Sequence, residues 1–396
     1  MKNNRKFFYV RLINFVKGFL LSLIFIPLPK KKSRIIFSST GNIKYDHNSK
    51  YLFEYFLKNY SKFEIKYVVN DKKLKKELEK KLGNHFISTD NMKEILYCLF
   101  SYTWIVSSLE TPVGGTLQRI NRLVIHLGHG TPLKNIGLLE KKISFIKKIY
   151  YFFIRSNFSY VLATSENFKG IMSNFLSIPL ERILVEGQPR NDSVFLEKRP
   201  FLEKNFKISK NSKSILYAPT WRPNKETAIF PLVDIQLDEL SDYLYKNNIN
   251  IFLRVHPDFE EKIDDKIVNL DRVYILDSKK VGDISEYLSC FDLLITDYSS
   301  IFIDFLLLQK PIIFLPYDYE EYKREIGFTV DYYTHTPGPK ILLFSNFLKE
   351  ISKLLNNKNY YFIERQRENR FFNICLDNTN CKKMSEFIMK KIGGLV

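Results

Sequence analysis

The sequence predicts an α/β protein made of two Rossmann-like domains whose parallel sheets face a central cleft. Three observations carry that reading. Eleven short apolar runs recur along the chain, most of them separated by stretches of 10–20 residues with helical spacing. Strands that alternate with helices form parallel sheets covered on both faces. The chain has 396 residues, and at roughly 150 residues per domain that gives two or three domains. A polar, apolar-poor segment, residues 197–212 (EKRPFLEKNFKISKNS), breaks the pattern near the middle and marks the domain join.

The amino terminus stands apart. Ten Lys or Arg residues precede the first carboxylate, Asp46. Among them lies FFYVRLINFVKGFLLSLIFIPLP, residues 7–29. A membrane span needs roughly 20 apolar residues with few charges. Arg11 and Lys17 interrupt this one, and its clean run, Gly18 to Pro29, has 12 residues. Lys30-Lys31-Lys32-Ser33-Arg34 follows, where a cleaved signal peptide would carry small residues. As a helix, the segment gathers Arg11, Asn14, Lys17, Gly18 and Ser22 on one side and Phe, Leu, Ile and Val on the other. A helix lying in the membrane interface looks this way, with lysines at anionic head groups. Packing on the protein itself is the alternative, and the basic flanks favour the membrane. Three parts follow: a basic amphipathic segment over 1–33, a first Rossmann-like domain over 34–205 and a second over 206–396.

The strand-like runs begin at Arg34 to Ser39. EIKYVVN (64–70), TWIVSS (103–108), LVIHLG (123–128), YVLATS (160–165) and RILVEG (182–187) complete the first domain. SILYAP (214–219), NIFLRV (250–255), RVYILD (272–277), LLITDY (293–298) and PIIFLP (311–316) belong to the second. No repeat at solenoid spacing is present.

Composition narrows the function. Hydrophobic residues make up 45% and charged residues 26%, a globular balance that argues against a disordered or multi-span chain. The formal charge of +18 implies an anionic partner: nucleic acid, phosphorylated substrate or acidic membrane surface. Aromatic residues lie in apolar runs and are not interleaved with Arg, which speaks against a nucleic-acid surface. Four cysteines, Cys98, Cys290, Cys375 and Cys381, show no metal-like spacing and suit a reduced compartment. No Walker loop, GxGxxG, HExxH or CxxC occurs, which weighs against ATPase, dehydrogenase, zinc protease and thiol-redox chemistry.

Ligands of such sheets bind beyond the carboxyl ends of the strands, and three clusters stand there. In HLGHGTPLKNIG (126–137), Gly128 and Gly130 allow close backbone approach. Thr131 and Lys134 suit a phosphate. His129, between the glycines, is placed to take a proton from an attacking hydroxyl, whereas His126 lies inside the apolar run. In RVHP (254–257), alternation puts Arg254 and His256 on one face at a strand end, two donors for an anionic oxygen. In LLITDYSSIFIDFLLLQKPIIFLPYDYEEY (293–322), Asp297, Ser299 and Ser300 occupy the turn before a helix. One of these serines caps that helix, and its amino end is an anion site. Asp304 lies one turn inside. Arg190 in GQPRND (187–192) and Arg222 in YAPTWR (217–222) are cations of smaller clusters.

Together these segments resemble the CDP-glycerol glycerophosphotransferase family, the primases and polymerases of teichoic-acid-type polymers. The resemblance rests on HGTPLK (129–134), GQPRND, YAPTWR, RVHP, TDYSSIFID (296–304), KPIIFLPYDYEEY (310–322), GFTVDY (327–332) and PGP (337–339), in that order. It spans about residues 120 to 390. One departure is GQPRND, where an aromatic residue more often follows the glycine.

The resemblance implies a GT-B architecture and transfer of a polyol phosphate from a CDP-polyol to an acceptor hydroxyl or glycan, with release of CMP. It implies that His129 is the base and that Arg254 and His256 hold the pyrophosphate or the departing CMP. Ser299, Ser300 and Asp304 match the nucleotide-phosphate segment of the second domain. The acceptor is then polyprenyl-linked, and the chain is a peripheral protein on the cytoplasmic face of the membrane. Residues 137–155 (GLLEKKISFIKKIYYFFIR) add a second basic amphipathic candidate. Lys141, Lys147, Lys148 and Arg155 gather on one side, opposite Leu139, Phe145, Ile146, Ile149, Tyr150 and Phe153. The residues point to no metal site and no resident cofactor; a divalent cation arriving with the pyrophosphate is neither required nor excluded. CDP-ribitol as donor and a capsule as product stay open, and the length favours a primase or short-chain enzyme. The rival expectation is a GT-B glycosyltransferase that uses a nucleotide sugar and releases a diphosphate.

Overall fold

The computed structural model describes residues 15–16, 18–222, 227–278 and 281–393. They form two compact α/β units, each on its own parallel sheet. The first sheet contains β1 (Lys31–Ser38), β2 (Glu64–Val68), β3 (Phe86–Ile87), β4 (Ser101–Val106), β5 (Leu123–His126), β6 (Tyr160–Ala163) and β7 (Ile183–Val185). Its order is β3-β2-β1-β4-β5-β6-β7. The second contains β8 (Lys213–Ala218), β9 (Ile249–Leu253), β10 (Val273–Ile275), β11 (Leu293–Thr296) and β12 (Ile312–Phe314), ordered β10-β9-β8-β11-β12.

Burial on both faces explains why these strands read as unbroken apolar runs. β9 (INIFL) and β11 (LLIT) are buried at every residue. Ile35 of β1 pairs with Ile65 of β2 and Thr103 of β4. In the second sheet Leu216 of β8 lies between Phe252 and Leu294. The extra strand, β3, has two residues and no run long enough to show in the sequence.

The unit boundaries differ from the expected ones. The first unit holds the described residues up to Gly130, then Ile136–Asp192, and the helix Asn380–Ile392. The second holds Thr131–Asn135 and Ser193–Asn378. The polar segment near residue 200 is no linker. It forms the helix Arg199–Phe206, whose Phe206 packs on Phe252 and Tyr274 at 5.2 and 5.6 Å. Arg199 donates to the carbonyls of Cys290 and Ser212. The last helix returns to the first unit because Met384, Ile388 and Ile392 join the core around Phe37 and Phe53. Asp192 fixes its start by accepting from the backbone N–H groups of Asn380 and Cys381 at 2.8 and 2.9 Å.

Residues 18–25 are helical. Gly18 lies so close to the loop below that an added Cβ would sit 2.3 Å from the Val113 carbonyl oxygen. Ser22 is buried, donates to Phe19 O at 2.7 Å and accepts from Thr116 N at 3.2 Å. The small, polar edge of this helix therefore packs on the protein. Arg11, Asn14 and Lys17 lie outside the described residues. Among the described residues no helix is long and apolar enough to cross a membrane.

Candidate functional site

Each sheet reverses strand order once, and in doubly wound sheets ligands bind at that point. In the second unit the reversal falls between β8 and β11. The residues after them, Thr220 to Arg222 and Asp297 to Ser300, are drawn together there. Asp297 accepts from Thr220 N at 2.8 Å, Tyr298 N at 2.6 Å and Arg222 Nη2 at 3.0 Å. Arg222 also holds both Asp318 oxygens at 2.9 Å and donates to Thr220 O. Burial opposes its charge, yet Asp318 and Asp297 hold the guanidinium well above its ordinary pKa. The rings of Tyr298, Tyr317 and Tyr322 lie 4.9–5.3 Å from it.

Lys134 belongs to this same unit. Its strand-like pairing with Phe328, and the bonds from Thr329 N and Oγ1 to Leu133 and Pro132 carbonyls, fasten the PLK segment there. Burial pulls its ammonium down to about 8; the Asp297 carboxylate opposes that shift and Arg222 adds to it. Lys134 and Arg222 thus share the Asp297 neighbourhood.

His256 is exposed beside Trp221, ring centroids 5.7 Å apart. Arg254, two residues before His256, is partly buried. β9 ends at Leu253, and the Arg254 guanidinium donates to the carbonyls of Leu276 and Gly282 at 2.8 and 3.1 Å. Val255, between Arg254 and His256, is buried, and Arg254 N still donates to Tyr217 O at 2.8 Å. Ser299 Oγ accepts weakly from Ile301 N at 3.4 Å, and Ser300 makes no capping bond. The helix that follows has five residues, Ile301–Phe305, before it tightens into a 3-10 turn. Asp304 is buried on its inner side.

In the first unit the reversal falls between β1 and β4. His129 is exposed in the loop after β5, and its Nδ1 lies 3.3 Å from Ser107 O, just beyond β4. Gly128 and Gly130 flank it with φ of 64° and 146°, conformations that glycine adopts readily. Thr131 is buried. Two residues missed by sequence reasoning organise this region. Asn48, fully buried, donates to the carbonyls of Leu127 and Gly128 at 3.1 and 3.0 Å. Its Oδ1 accepts from Arg190 N at 3.1 Å, so it ties the HGHG loop to GQPR. His47 packs its ring against His129. Their only sequence signal was the polar run Asp46-His47-Asn48-Ser49 before a helix, which reads as ordinary capping. No cluster of three His, Cys, Asp or Glu suited to a metal occurs among the described residues.

Two parallel α/β sheets, each with polar side chains gathered at its reversal point, make a GT-B-like α/β protein. Residues 20–390 match the model of the CDP-glycerol:poly(glycerophosphate) glycerophosphotransferase family, and the chain belongs to that family. By that membership it is a glycerophosphotransferase with CDP-glycerol as donor. The chain is 28% identical to a teichoic acid poly(glycerol phosphate) polymerase of Bacillus spizizenii over 84% of its own length and 86% of that protein's. It is 28% identical to a teichoic acid glycerol-phosphate transferase of Staphylococcus aureus, over 78% and 80%. A Bacillus subtilis poly(glycerol phosphate) polymerase is 27% identical, but there the chain spans 44% of the relative. Solved structures of the wall teichoic acid polymerase TagF share the fold, with TM-score 0.75, 23% identity and 98% of each chain covered.

Proposed function

We propose that the chain works as a peripheral protein on the cytoplasmic face of the cell membrane. There it transfers glycerol phosphate from CDP-glycerol to the hydroxyl of a membrane-linked acceptor. The acceptor oxygen attacks the β-phosphorus, a new P–O bond forms, and the bond to the bridging oxygen breaks to release CMP. The hydroxyl proton passes to His129. Phosphoryl transfer depends on positioning and charge neutralisation. His256 and the Ser299–Ser300 turn contact the phosphates of the donor. Arg222, Asp297 and Lys134 hold that turn in place from below, and Arg254 braces the loop around Gly282.

The observation that carries the membrane reading is an apolar surface on the first unit. Val16, Leu20, Leu23 and Ile24 point outward from the amino-terminal helix, Leu20 being 70% exposed. Phe15 and Phe19 pack on Phe153 at 5.8 and 6.3 Å, which sets this helix beside the helix Phe145–Ile154. The second helix buries Tyr150, Tyr151 and Ile154 and exposes Phe145, Ile146, Ile149 and Phe152, Phe145 at 76%. It does not divide into one basic and one apolar side as its sequence suggests. Lys147 turns back to Glu140 at 2.5 Å and Arg155 to Ser177, so the free face is apolar, rimmed by exposed Lys141, Lys142 and Lys148. Contiguous exposed apolar side chains rimmed by lysines suit the head-group boundary of an anionic bilayer.

The test is product analysis with CDP-glycerol, CDP-ribitol and UDP-sugars in the presence of lipid-linked acceptor. CMP from CDP-glycerol supports the reading. Diphosphate from a UDP-sugar would favour a glycosyltransferase.

A further inference from the structure

Asp46 occupies the N-cap position of the helix His47–Asn59, yet its side chain makes no capping bond. A carboxylate at that position ordinarily accepts an N–H of the first turn. Here Oδ1 accepts the Ser39 hydroxyl, and Oδ2 lies 3.5 Å from His47 Nε2. His47 itself has φ 58°, a left-handed conformation uncommon outside glycine and kept only where the surroundings hold it. Its ring lies against that of His129, centroids 5.1 Å apart and planes inclined by 34°. Ser39 follows β1 and Ser107 follows β4, so the group sits where the first sheet reverses.

We propose that His47 is a positioning residue for the base. A carbonyl oxygen only accepts, so the contact with Ser107 O requires the proton of His129 on Nδ1, which makes Nε2 the basic nitrogen. The His47 ring, held by Asp46, packs against the His129 imidazole and fixes its orientation. This rests on the reading of His129 as base.

Asparagine tolerates left-handed backbone, so His47→Asn removes the ring without adding strain. His47→Phe keeps an aromatic ring in its place. Both are assayed for CMP release beside His129→Ala, with thermal unfolding followed for each. The expected result is a fall in kcat of up to about a hundredfold for His47→Asn, the effect of a misplaced catalytic group. KM for CDP-glycerol and the unfolding temperature stay unchanged, and kcat largely returns in His47→Phe. Asp46→Asn gives a smaller fall in the same direction. Wild-type kcat in His47→Asn beside an inactive His129→Ala overturns the positioning role alone. A loss that His47→Phe does not restore, with its unfolding temperature unchanged, also overturns it. Full activity in His129→Ala overturns the reading of the base itself.

Discussion

Arg222 bridges Asp297 and Asp318, with Nη2 3.0 Å from one carboxylate and Nε and Nη2 each 2.9 Å from the other. This guanidinium joins the loop after β8 to those after β11 and β12 and so shapes the Asp297–Ser300 turn. Removing one partner of a buried ion pair leaves charge uncompensated, at a cost of about 3–5 kcal/mol. Arg222→Met should therefore lower stability by about that amount in urea unfolding. Arg222→Lys should recover only part of it, because an ammonium cannot bond bidentately.

Lys134 makes stability depend on pH in a defined direction. Burial lowers its folded-state value from 10.5 to about 8. Between those values the unfolded chain binds more protons, so this group's contribution to stability rises with pH. Below about pH 8 the penalty for burying the charge is present in full. The stability of wild type relative to Lys134→Met should rise between about pH 8 and 10. A flat difference across that range would place the ammonium in solvent.

Asn48 holds the loop that carries His129. Asn48→Ala strips partners from the Leu127 and Gly128 carbonyls and the Arg190 N–H. An unsatisfied buried polar group costs about 1–3 kcal/mol. The variant should lose about 3 kcal/mol and show a lower kcat while donor KM is kept. Denaturant titration and steady-state kinetics read the two effects separately.

The apolar surface of the first unit makes a prediction that does not involve chemistry. Ile149→Asp combined with Phe152→Asp should abolish sedimentation with anionic vesicles while urea stability is retained, since both side chains are exposed. Transfer of glycerol phosphate to a short, water-soluble acceptor, read as CMP release, should be unaffected.

Most of the fold was legible because buried parallel strands have no polar alternation to blur them; each of the eleven runs read as strand-like holds a strand. β3 escaped because two residues carry no periodicity. The unit boundaries escaped because they depend on tertiary packing. Nothing local shows that the helix Asn380–Ile392 returns to the first core, or that Lys134 falls in a different unit from His129. Of the residues sought in loops after strands, Arg222 and Asp297 meet at the second sheet's reversal. The sequence could not show that the Arg254 guanidinium turns to the carbonyls of Leu276 and Gly282, which lie far along the chain. His47 and Asn48 went unseen because a positive φ and a buried amide that bonds distant loops leave no mark on neighbouring residues.

The most direct test of the central claim is the mass of the acceptor itself. A lipid-linked acceptor is incubated with CDP-glycerol and either wild-type protein or His129→Ala, and the product is weighed by mass spectrometry. Acceptor heavier by whole glycerol phosphate units with wild type, and slowed by about a hundredfold or more in the variant, is the predicted result for loss of a general base. Acceptor left unchanged by wild type, or extended equally well by the variant, would contradict it.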